Sequence, residues 1–355
     1  MKLALVYHQF IRKGGLEGYL MEFTRRLHAA GHELELVCAR ADEEMRALAA
    51  RVHEVAPAHS NNGTLRRVAE YSAALYPQLE VDAVLGFGRT WRQDIHRAGG
   101  GCHALYSRKL PWWKRWRMKN QRELALERRL YTGGETRHFV VNADMVGREL
   151  EQVYGVDTAR ISTIHTAVDA AHFRPAEDRA ALRSQLGLRD RDRVLLFVSL
   201  DHRRKGLPAL LDALRLLKNP ELQLWVAGQR MEPVRDLSGI RELGNVSDLR
   251  QWYQAADLFL HPTQYDACAN TVLQSMASGL PGLISVRDGA AGFIADGENG
   301  WLIDPDDAVA LAEKIRAALP AAGGLAAAAR ATMQPLTWAA HLDAWMELIP
   351  QVQRR

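Results

Sequence analysis

Two polar residues eight positions apart, Asp266 and Gln274, are the pair in this chain whose spacing says most about chemistry. They follow the short apolar run 257–260, which suggests a strand that ends in a loop. Eight residues span a little over two helical turns, so both side chains can face one ligand if a helix begins between them. Asn270 and Thr271 would start that helix, where backbone N–H groups and the positive end of the helix dipole favour an anion such as a diphosphate.

A basic pair, Arg204 and Lys205, follows another apolar run, 193–200. At the carboxyl end of a strand such a pair can neutralise a departing diphosphate, because arginine offers a planar fork of donors and lysine a compact charge. A lone basic cluster in a loop is more often a solvated surface, but the location after a strand favours a function. The position alone leaves both interpretations open.

Three more residues are candidates near flexible backbone. His103 follows three glycines and a cysteine in a predicted loop, where it could orient a reacting sugar or move a proton, or have no chemical role. Gly14 and Gly15 lie between the first predicted strand and helix, and they would let the backbone approach a phosphate or simply form a tight turn. With Gly18 they do not make the G-x-G-x-x-G fingerprint, which argues against a nicotinamide-dependent dehydrogenase.

No group of His, Cys and Asp has the spacing of a metal site, so we expect no bound metal. Residues 190–192 match the D-x-D pattern with which another class of sugar transferases holds a metal. They precede a predicted strand instead of following one, which makes that role a minor alternative. Residues 304–307 resemble a helix cap with acidic first-turn residues.

Residues 107–131, here called the basic-aromatic segment, hold nine Lys and Arg residues against two Glu. The segment therefore has a net charge of +7. Because the whole chain has a net charge of +4, the remaining residues together have a net charge of −3. Tryptophan beside Lys and Arg is typical of proteins that bind the surface of an anionic membrane. A solvated helix with its tryptophans in the core, and a nucleic-acid surface, are the alternatives. The candidate membrane-binding residues are Trp112, Trp113, Lys114, Arg115, Trp116 and Arg117.

The composition is that of a globular protein, with 47% hydrophobic and 25% charged residues in a chain of 355, enough for two domains. No apolar run approaches the ~20 residues that cross a bilayer, and the first residues lead into a strand pattern without a signal-peptide region. Three cysteines without metal-type spacing favour a reduced, cytoplasmic protein.

Apolar strand-like runs alternate with amphipathic helical patterns, which predicts α/β halves built on parallel sheets. Residues 167–192 suit a linker, so we place the boundary near residue 170, with one domain over 1–170, another over 171–335 and a final helix over 336–355 that could cross back to the N-terminal domain. Two doubly wound halves usually bind a ligand in a cleft at the carboxyl ends of their strands. The predicted strands are 3–7, 33–38, 81–87, 137–141, 161–164, 193–200, 222–227, 257–260, 282–285 and 300–303.

Taken together, these motifs resemble the retaining glycosyltransferases of family 4, which have the two-domain GT-B fold, and within that family the bacterial enzymes that glucosylate the heptose core of lipopolysaccharide. The similarity runs through nearly the whole chain: the glycine pair, the site at 201–206, the family's E-x7-E segment at 265–281 and the entry into the second domain at 168–175. Asp266 and Gln274 stand where that family has two glutamates. The basic-aromatic segment stands where the lipopolysaccharide enzymes contact the membrane.

The resemblance implies a GT-B protein, two Rossmann-like domains facing a central cleft, that moves a sugar from a nucleotide-diphosphate donor, a UDP-sugar, without a metal or other cofactor. Arg204 and Lys205, with backbone near Asn270 and Thr271, would hold the diphosphate. Gln274 would hold the ribose. Asp266 would contact the donor sugar as a catalytic residue. His103 would be the second catalytic residue, and Gly14 and Gly15 would line the cleft as donor-binding positions.

The implied acceptor is a lipopolysaccharide core or lipid-linked saccharide at the inner face of the cytoplasmic membrane, with no nucleic acid as partner. Three alternatives remain open. A sugar-nucleotide epimerase of the same architecture would consume donor without acceptor. A non-enzymatic membrane or nucleic-acid binding module would use the basic-aromatic segment alone. A transferase that has lost activity would bind a donor and never release its sugar.

Overall fold

The computed structural model describes residues 1–12, 14–234 and 236–352. The chain forms two compact units. The first unit comprises Met1–His165 and the chain from His341 onward, and the second comprises Thr166–Ala340. The division therefore falls after His165 and again after Ala340, and each unit is described by itself.

The first unit is built on a parallel seven-stranded sheet in the order β5-β3-β1-β6-β7-β8-β9. Chain order reverses between β1 and β6, because β3 and β5 lie on one side of this pair and β7, β8 and β9 lie on the other. A separate two-stranded pair joins β2 and β4. The strands are β1 Lys2–Val6, β2 Gln9–Phe10, β3 Glu33–Cys38, β4 Arg40–Ala41, β5 Arg51–Glu54, β6 Ala83–Gly86, β7 Gln93–Arg97, β8 Thr136–Val141 and β9 Ile161–Thr163.

Helices surround this sheet and bury their apolar faces. The helix Trp338–Val352 at the end of the chain packs on it with Trp345, which is fully buried and lies 5.4 Å from the ring of Phe23. The helices are α1 Gly15–Ala29, α2 Glu43–Leu48, α3 Asn61–Leu75, α4 His103–Lys109, α5 Trp112–Arg115, α6 Met118–Thr132 and α7 Asp144–Tyr154, with short 3₁₀ turns at Tyr76–Gln78 and Thr158–Arg160.

The second unit has a parallel six-stranded sheet in the order β12-β11-β10-β13-β14-β15. Its strands are β10 Arg193–Ser199, β11 Leu222–Gly228, β12 Ile240–Gly244, β13 Leu258–His261, β14 Gly282–Ser285 and β15 Trp301–Ile303. Its helices are α8 Arg179–Gln185, α9 Leu207–Leu217, α10 Arg250–Ala255, α11 Asn270–Ala277 and α12 Ala308–Met333, with a 3₁₀ turn at Gly289–Phe293. The helix Trp338–Val352 is α13.

The core of the second unit explains why these strands are so apolar. Leu195, Phe197, Leu258 and Leu260 are all inaccessible to solvent, as expected for a parallel sheet covered on both faces. The central pair is β10 and β13, with Leu195 opposite Leu258. Chain order reverses at this pair, because β11 and β12 lie on one side and β14 and β15 on the other. Open α/β sheets bind ligands at such a reversal, outside the carboxyl ends of the strands.

The interpretation of residues 167–192 as a plain linker is wrong, because α8 lies within them. The helix begins after Asp178, whose side chain accepts a hydrogen bond from the N–H of Ala181. Arg179 and Arg183 then pair with Asp257, which precedes β13. The polar composition of this stretch reflects ion pairs that fasten it to the second unit.

Candidate functional site

The loops that follow β10 and β13 meet at the reversal of the second sheet. Gly206 has a φ of 86°, and a Cβ there would lie 1.8 Å from the carbonyl oxygen of Pro262, so the approach of the two loops requires glycine. The carbonyl oxygen of Arg204 accepts hydrogen bonds from Gln264 N at 2.8 Å and from Thr263 Oγ1 at 3.1 Å. The backbone thus holds the basic pair against the loop that carries Asp266.

Asp266 brings the two predicted cations together. Lys205 Nζ contacts Asp266 Oδ2, and Arg204 Nη1 lies 3.1 Å from the same oxygen. The Asp266 side chain is 16% exposed and that of Lys205 is 12% exposed, so the charges interact in a largely dry environment. Burial raises the pKa of Asp266, but Lys205 and Arg204 outweigh it and hold that pKa well below its usual range. Asp266 is therefore a carboxylate at neutral pH.

Helix α11 begins four residues later, as the sequence predicts. Its first turn carries Asn270 and Thr271, and the Thr271 hydroxyl oxygen is buried with no hydrogen-bond partner among the residues that the structure describes. Farther along the helix, Gln274 Oε1 accepts a hydrogen bond of 3.3 Å from the Tyr253 hydroxyl. Helix start, orphan hydroxyl and amide all follow Asp266 within one short segment, a combination suited to an anion with polar groups attached.

Two residues of this cluster were missed by sequence reasoning, His261 and Asp288. His261 ends β13 and Asp288 follows β14, and both side chains are fully buried. His261 Nε2 lies 2.9 Å from Asp288 Oδ2 and 3.4 Å from Lys205 Nζ. In the sequence, His261 shows only as a polar residue directly after the run 257–260 and before Pro262.

Asp288 also organises the start of α11. Its Oδ1 accepts hydrogen bonds from Ala269 N at 3.1 Å and Ala290 N at 2.8 Å. The backbone of Asp266 joins the same loop, accepting from Gly289 N and donating to the Arg287 carbonyl. The carboxylate of Asp288 thus fixes the geometry of the anion-favouring helix terminus.

Potential ligand atoms of His261, Asp266 and Asp288 lie within 4.8 Å of one another, close enough for a metal ion. The ammonium of Lys205 already contacts Asp266 and approaches His261, so lysine supplies the positive charge that a metal would bring. In the D-x-D candidate, Asp192 is paired with Arg189 at 2.8 Å. A metal-independent site thus remains our prediction.

The three aspartates within residues 304–307 have two different roles. Asp307 caps α12 by accepting a hydrogen bond from Ala310 N at 2.8 Å, as the pattern predicts. Asp304 and Asp306 instead pair with Arg287, at 3.1 Å and 2.6 Å.

Gly14 and Gly15 belong to the first unit, at the start of α1. They follow β2, and β2 in turn follows β1. Glu17 in the first turn of α1 accepts hydrogen bonds from the Tyr7 hydroxyl at 3.0 Å and from Gln9 Nε2 at 2.9 Å. The glycine turn therefore borders a polar cluster.

His103 is the first residue of α4, so its predicted place in a loop is wrong. Its Nε2 lies 2.8 Å from Asn120 Oδ1, and its Nδ1 lies 3.6 Å from Glu123 Oε1. Asn120 Nδ2 donates to Ser107 Oγ and to the Arg115 carbonyl, which turns the amide oxygen toward His103. The amide oxygen therefore accepts a hydrogen bond from His103 Nε2, and Nδ1 faces the carboxylate of Glu123.

The basic-aromatic segment exposes its aromatic side chains. Trp112, Trp113 and Trp116 are 72%, 50% and 75% exposed, and Met118 is 68% exposed. The alternative with tryptophans in the core is therefore wrong. The first two lie in α5 and Trp116 follows it, among Lys114, Arg115 and Arg117. In the described parts of the chain, no helix has the length and apolar character needed to span a bilayer.

Two family models match the chain over most of its length. The model described as Glycosyltransferase Family 4 matches residues 13–172, and the model described as Glycosyl transferases group 1 matches residues 192–320. The boundary between the two matches lies close to the boundary between the two units.

Curated relatives match most of the chain as well. The lipopolysaccharide glucosyltransferase WaaG of Escherichia coli strain K12 is 24% identical over 338 residues, which is 90% of this chain and 90% of WaaG. A Burkholderia thailandensis protein described as a probable transglycosylase is 31% identical over 308 residues, which is 84% of this chain and 81% of that protein.

Solved structures share the architecture. The crystal structure of WaaG superposes with a TM-score of 0.83 at 22% identity, covering 98% of this chain and 99% of WaaG. Alr3699/HepE of Anabaena, in complex with UDP-glucose, gives a TM-score of 0.74 at 17% identity, covering 99% of this chain and 100% of that protein. The predicted fold class, GT-B with two parallel-sheet α/β domains, is confirmed.

Proposed function

Because this chain belongs to the glycosyltransferases of family 4, we propose that it transfers a glycosyl unit from a UDP-sugar to a lipopolysaccharide core or other lipid-linked saccharide, with retention of the anomeric configuration. That the chain is a glycosyltransferase follows from the family. The donor, the acceptor and the stereochemistry are the proposal. The observation that carries the donor is the contact of Lys205 and Arg204 with Asp266 at the reversal of the second sheet.

The chemistry follows from where charge develops. As the bond between the sugar and the diphosphate breaks, negative charge grows on the departing phosphate oxygens. Lys205 and Arg204 neutralise it, and the start of α11 adds its dipole. These groups are preorganised by the backbone of the neighbouring loop, so the reaction needs little rearrangement of charge. Asp266 binds hydroxyl groups of the donor sugar, and Gln274 binds the ribose.

Metal-dependent transferases use a bound ion to neutralise the diphosphate. In this protein the side chains of Lys205 and Arg204 supply that positive charge. Lys205 lies among the three residues that could hold an ion, which supports a reaction without metal. The first unit would hold the acceptor, with Gly14, Gly15 and His103 beside it.

The basic-aromatic segment supports an acceptor presented at a membrane. Tryptophans insert at the headgroup level, and each basic residue near an anionic surface contributes about 1 kcal/mol. The result is reversible docking of a peripheral protein on the inner face of the cytoplasmic membrane.

The test is a thermal-shift panel of nucleotide sugars in the presence of EDTA. A bound donor raises the melting temperature according to its concentration over Kd, so the panel identifies nucleotide and sugar together. We expect a UDP-sugar to give the largest shift. If no nucleotide sugar stabilises the protein, or if stabilisation needs a divalent metal, the donor proposal is wrong.

Lys205→Ala should lower turnover with that donor at least tenfold while the protein still folds, with a lower melting temperature because the largely buried Asp266 loses one of its two cations. The matched control is Lys314→Ala, because Lys314 pairs with a carboxylate, Asp296, at 3.1 Å on the exterior of the same unit. The control should keep its turnover. Near-normal transfer by Lys205→Ala would refute the proposed diphosphate site.

A further inference from the structure

We propose that His261 is a positioning residue for Lys205: its buried imidazole, 2.9 Å from Asp288, separates the lysine from that carboxylate, so that the ammonium group contacts Asp266 alone of the two aspartates and stays available to the second phosphate of the donor. The proposal rests on the diphosphate site described above. It assigns a role to a histidine and an aspartate that do not themselves contact the donor.

Geometry places the imidazole between two opposite charges. One nitrogen, His261 Nε2, lies 2.9 Å from Asp288 Oδ2 and 3.4 Å from Lys205 Nζ. A neutral imidazole nitrogen either donates or accepts a hydrogen bond. A nitrogen lone pair aimed at a carboxylate oxygen 2.9 Å away would be repelled, so Nε2 carries the proton on the side of Asp288, although Asp288 Oδ2 has no well-aligned hydrogen-bond partner among the residues described. Nε2 then has no lone pair with which to retain the ammonium.

The imidazole is neutral. Burial and the charge of Lys205 lower the pKa of His261. Its other nitrogen, Nδ1, is buried without a partner among the residues described, so a second proton would leave an unpaired N–H in the core. A neutral ring adds no charge of its own to the diphosphate site.

Without the ring, the lysine could reach the wrong carboxylate. Ligand oxygens of Asp266 and Asp288 lie within 4.8 Å of each other, and Lys205 already contacts Asp266. A small displacement of the ammonium would therefore pair it with Asp288. That pair would be fully buried, since Asp288 is inaccessible to solvent. A lysine held between two carboxylates would no longer be available to bind the phosphate.

The experiment compares the affinities of UDP and UMP by calorimetry in EDTA, because the two ligands differ by the second phosphate. The wild type should prefer UDP. His261→Ala should reduce that preference at least tenfold by weakening UDP binding while UMP binding stays within threefold. His261→Gln should keep the preference, because its Nε2 can still donate to Asp288.

The double variant His261→Ala with Asp288→Asn distinguishes positioning from mere packing. With the competing charge removed, the UDP preference should return to within threefold of the wild type. Asp304→Asn is the control, because Asp304 is an exposed carboxylate of the same unit that pairs with Arg287. Melting temperatures confirm that each variant is folded. His261→Val, a residue suited to a strand, replaces the alanine variant if that one does not fold.

Two results would overturn the inference alone: a His261→Ala protein that keeps its UDP preference, or a double variant that fails to regain it. A wild type that binds UMP as tightly as UDP would refute the diphosphate site itself, and the role of His261 with it.

Discussion

Gln274, the proposed ribose contact, has an uncharged amide side chain. Its amide accepts a hydrogen bond from Tyr253, which is almost fully buried, so one face of the side chain is fixed and its amide N–H donors are left to a ligand. A ribose offers hydroxyl groups that an amide can bind as well as a carboxylate can. The change from the glutamate of the family thus fits a sugar contact better than a phosphate contact.

This assignment makes a prediction that differs from those for Lys205 and His261. Gln274→Leu should weaken UDP and UMP to the same extent, because both carry the same ribose. Loss of one hydrogen bond costs about 1 kcal/mol, or about fivefold in affinity. Calorimetry with both nucleotides measures this. A loss confined to UDP would move Gln274 from the ribose to the phosphates.

The residues of the site differ in how far the sequence reveals them. Asp266 and Lys205 could be found because each follows an apolar strand and belongs to a recognisable local pattern. His261 and Asp288 could not, because their partnership joins the ends of two strands that neither spacing nor charge connects. His103 was placed in a loop because three glycines precede it. Helix α4 instead begins there because Glu127, distant in sequence, accepts hydrogen bonds from His103 N and Ala104 N.

At the scale of elements, β7 shows why polar composition misleads. All of Gln93–Arg97 is buried, yet its sequence, QDIHR, has no apolar pattern and was not predicted as a strand. Long-range bonds satisfy the polar groups: Asp94 Oδ2 accepts from Val84 N at 2.8 Å, and Gln93 Nε2 donates to Thr136 Oγ1 at 2.9 Å. Apolar strands such as β10 could be located from sequence because their burial needs no such partners.

Helix α13 depends on the protonation state of one residue, His341. Its Nδ1 donates to the His165 carbonyl at 2.7 Å, and Nε2 faces two donors, the Tyr19 hydroxyl at 2.8 Å and Trp345 Nε1 at 3.2 Å. A proton on Nε2 would oppose the Trp345 N–H, which can only donate. Burial, with Arg97 nearby, lowers the pKa of His341 to about 3.

Stability of the first unit should therefore depend on pH. An unfolded histidine has a pKa of about 6.5, so the unfolded chain gains a proton below that pH while the folded one does not. The contribution is present above about pH 6.5 and is lost as pH falls toward 3, about 1 kcal/mol between pH 6.5 and 5.5. Denaturant unfolding followed by tryptophan fluorescence at pH 5.5, 6.5 and 7.5 measures it.

His341→Gln should show a flatter dependence on pH than the wild type, whatever its stability at pH 7.5. The wild type will retain part of its slope after this change is subtracted, because burial also lowers the pKa of His96 to about 3. His59→Gln, at an exposed position of the same unit, is the control and should keep the full slope. Equal slopes for wild type and His341→Gln would contradict the role of His341.

At the scale of the molecule, the two units divide the sequence cleanly but not contiguously. The chain leaves the first unit after His165 and rejoins it at His341, so α13 belongs to the sheet with which the chain began. Alternation of strands and helices was enough to predict two α/β halves. The crossing back of the final helix is included in our domain prediction, but local pattern does not specify it, because an amphipathic helix shows only that it has an apolar face and not which sheet covers it.

Charge is also divided unevenly over the molecule. The basic-aromatic segment carries +7 and the remainder −3, so an anionic surface attracts one region and repels the rest. Such a distribution orients a peripheral protein as well as binding it. The exposed tryptophans of that segment add an apolar contact that electrostatics alone does not provide.

We therefore expect binding to vesicles of phosphatidylcholine with about a third phosphatidylglycerol, and little binding to phosphatidylcholine alone. Reversing three charges, with Lys114→Glu, Arg115→Glu and Arg117→Glu together, should lower partitioning about a hundredfold or more, since each cation contributes about 1 kcal/mol. Co-sedimentation at two salt concentrations measures this, and higher salt should weaken wild-type binding.

Arg66→Glu, at an exposed helix position, is the control for charge change elsewhere in the unit. Equal binding by wild type and the triple variant would show that the basic-aromatic segment does not dock the protein. A salt-dependent shift of duplex DNA without vesicle binding would instead favour the nucleic-acid alternative.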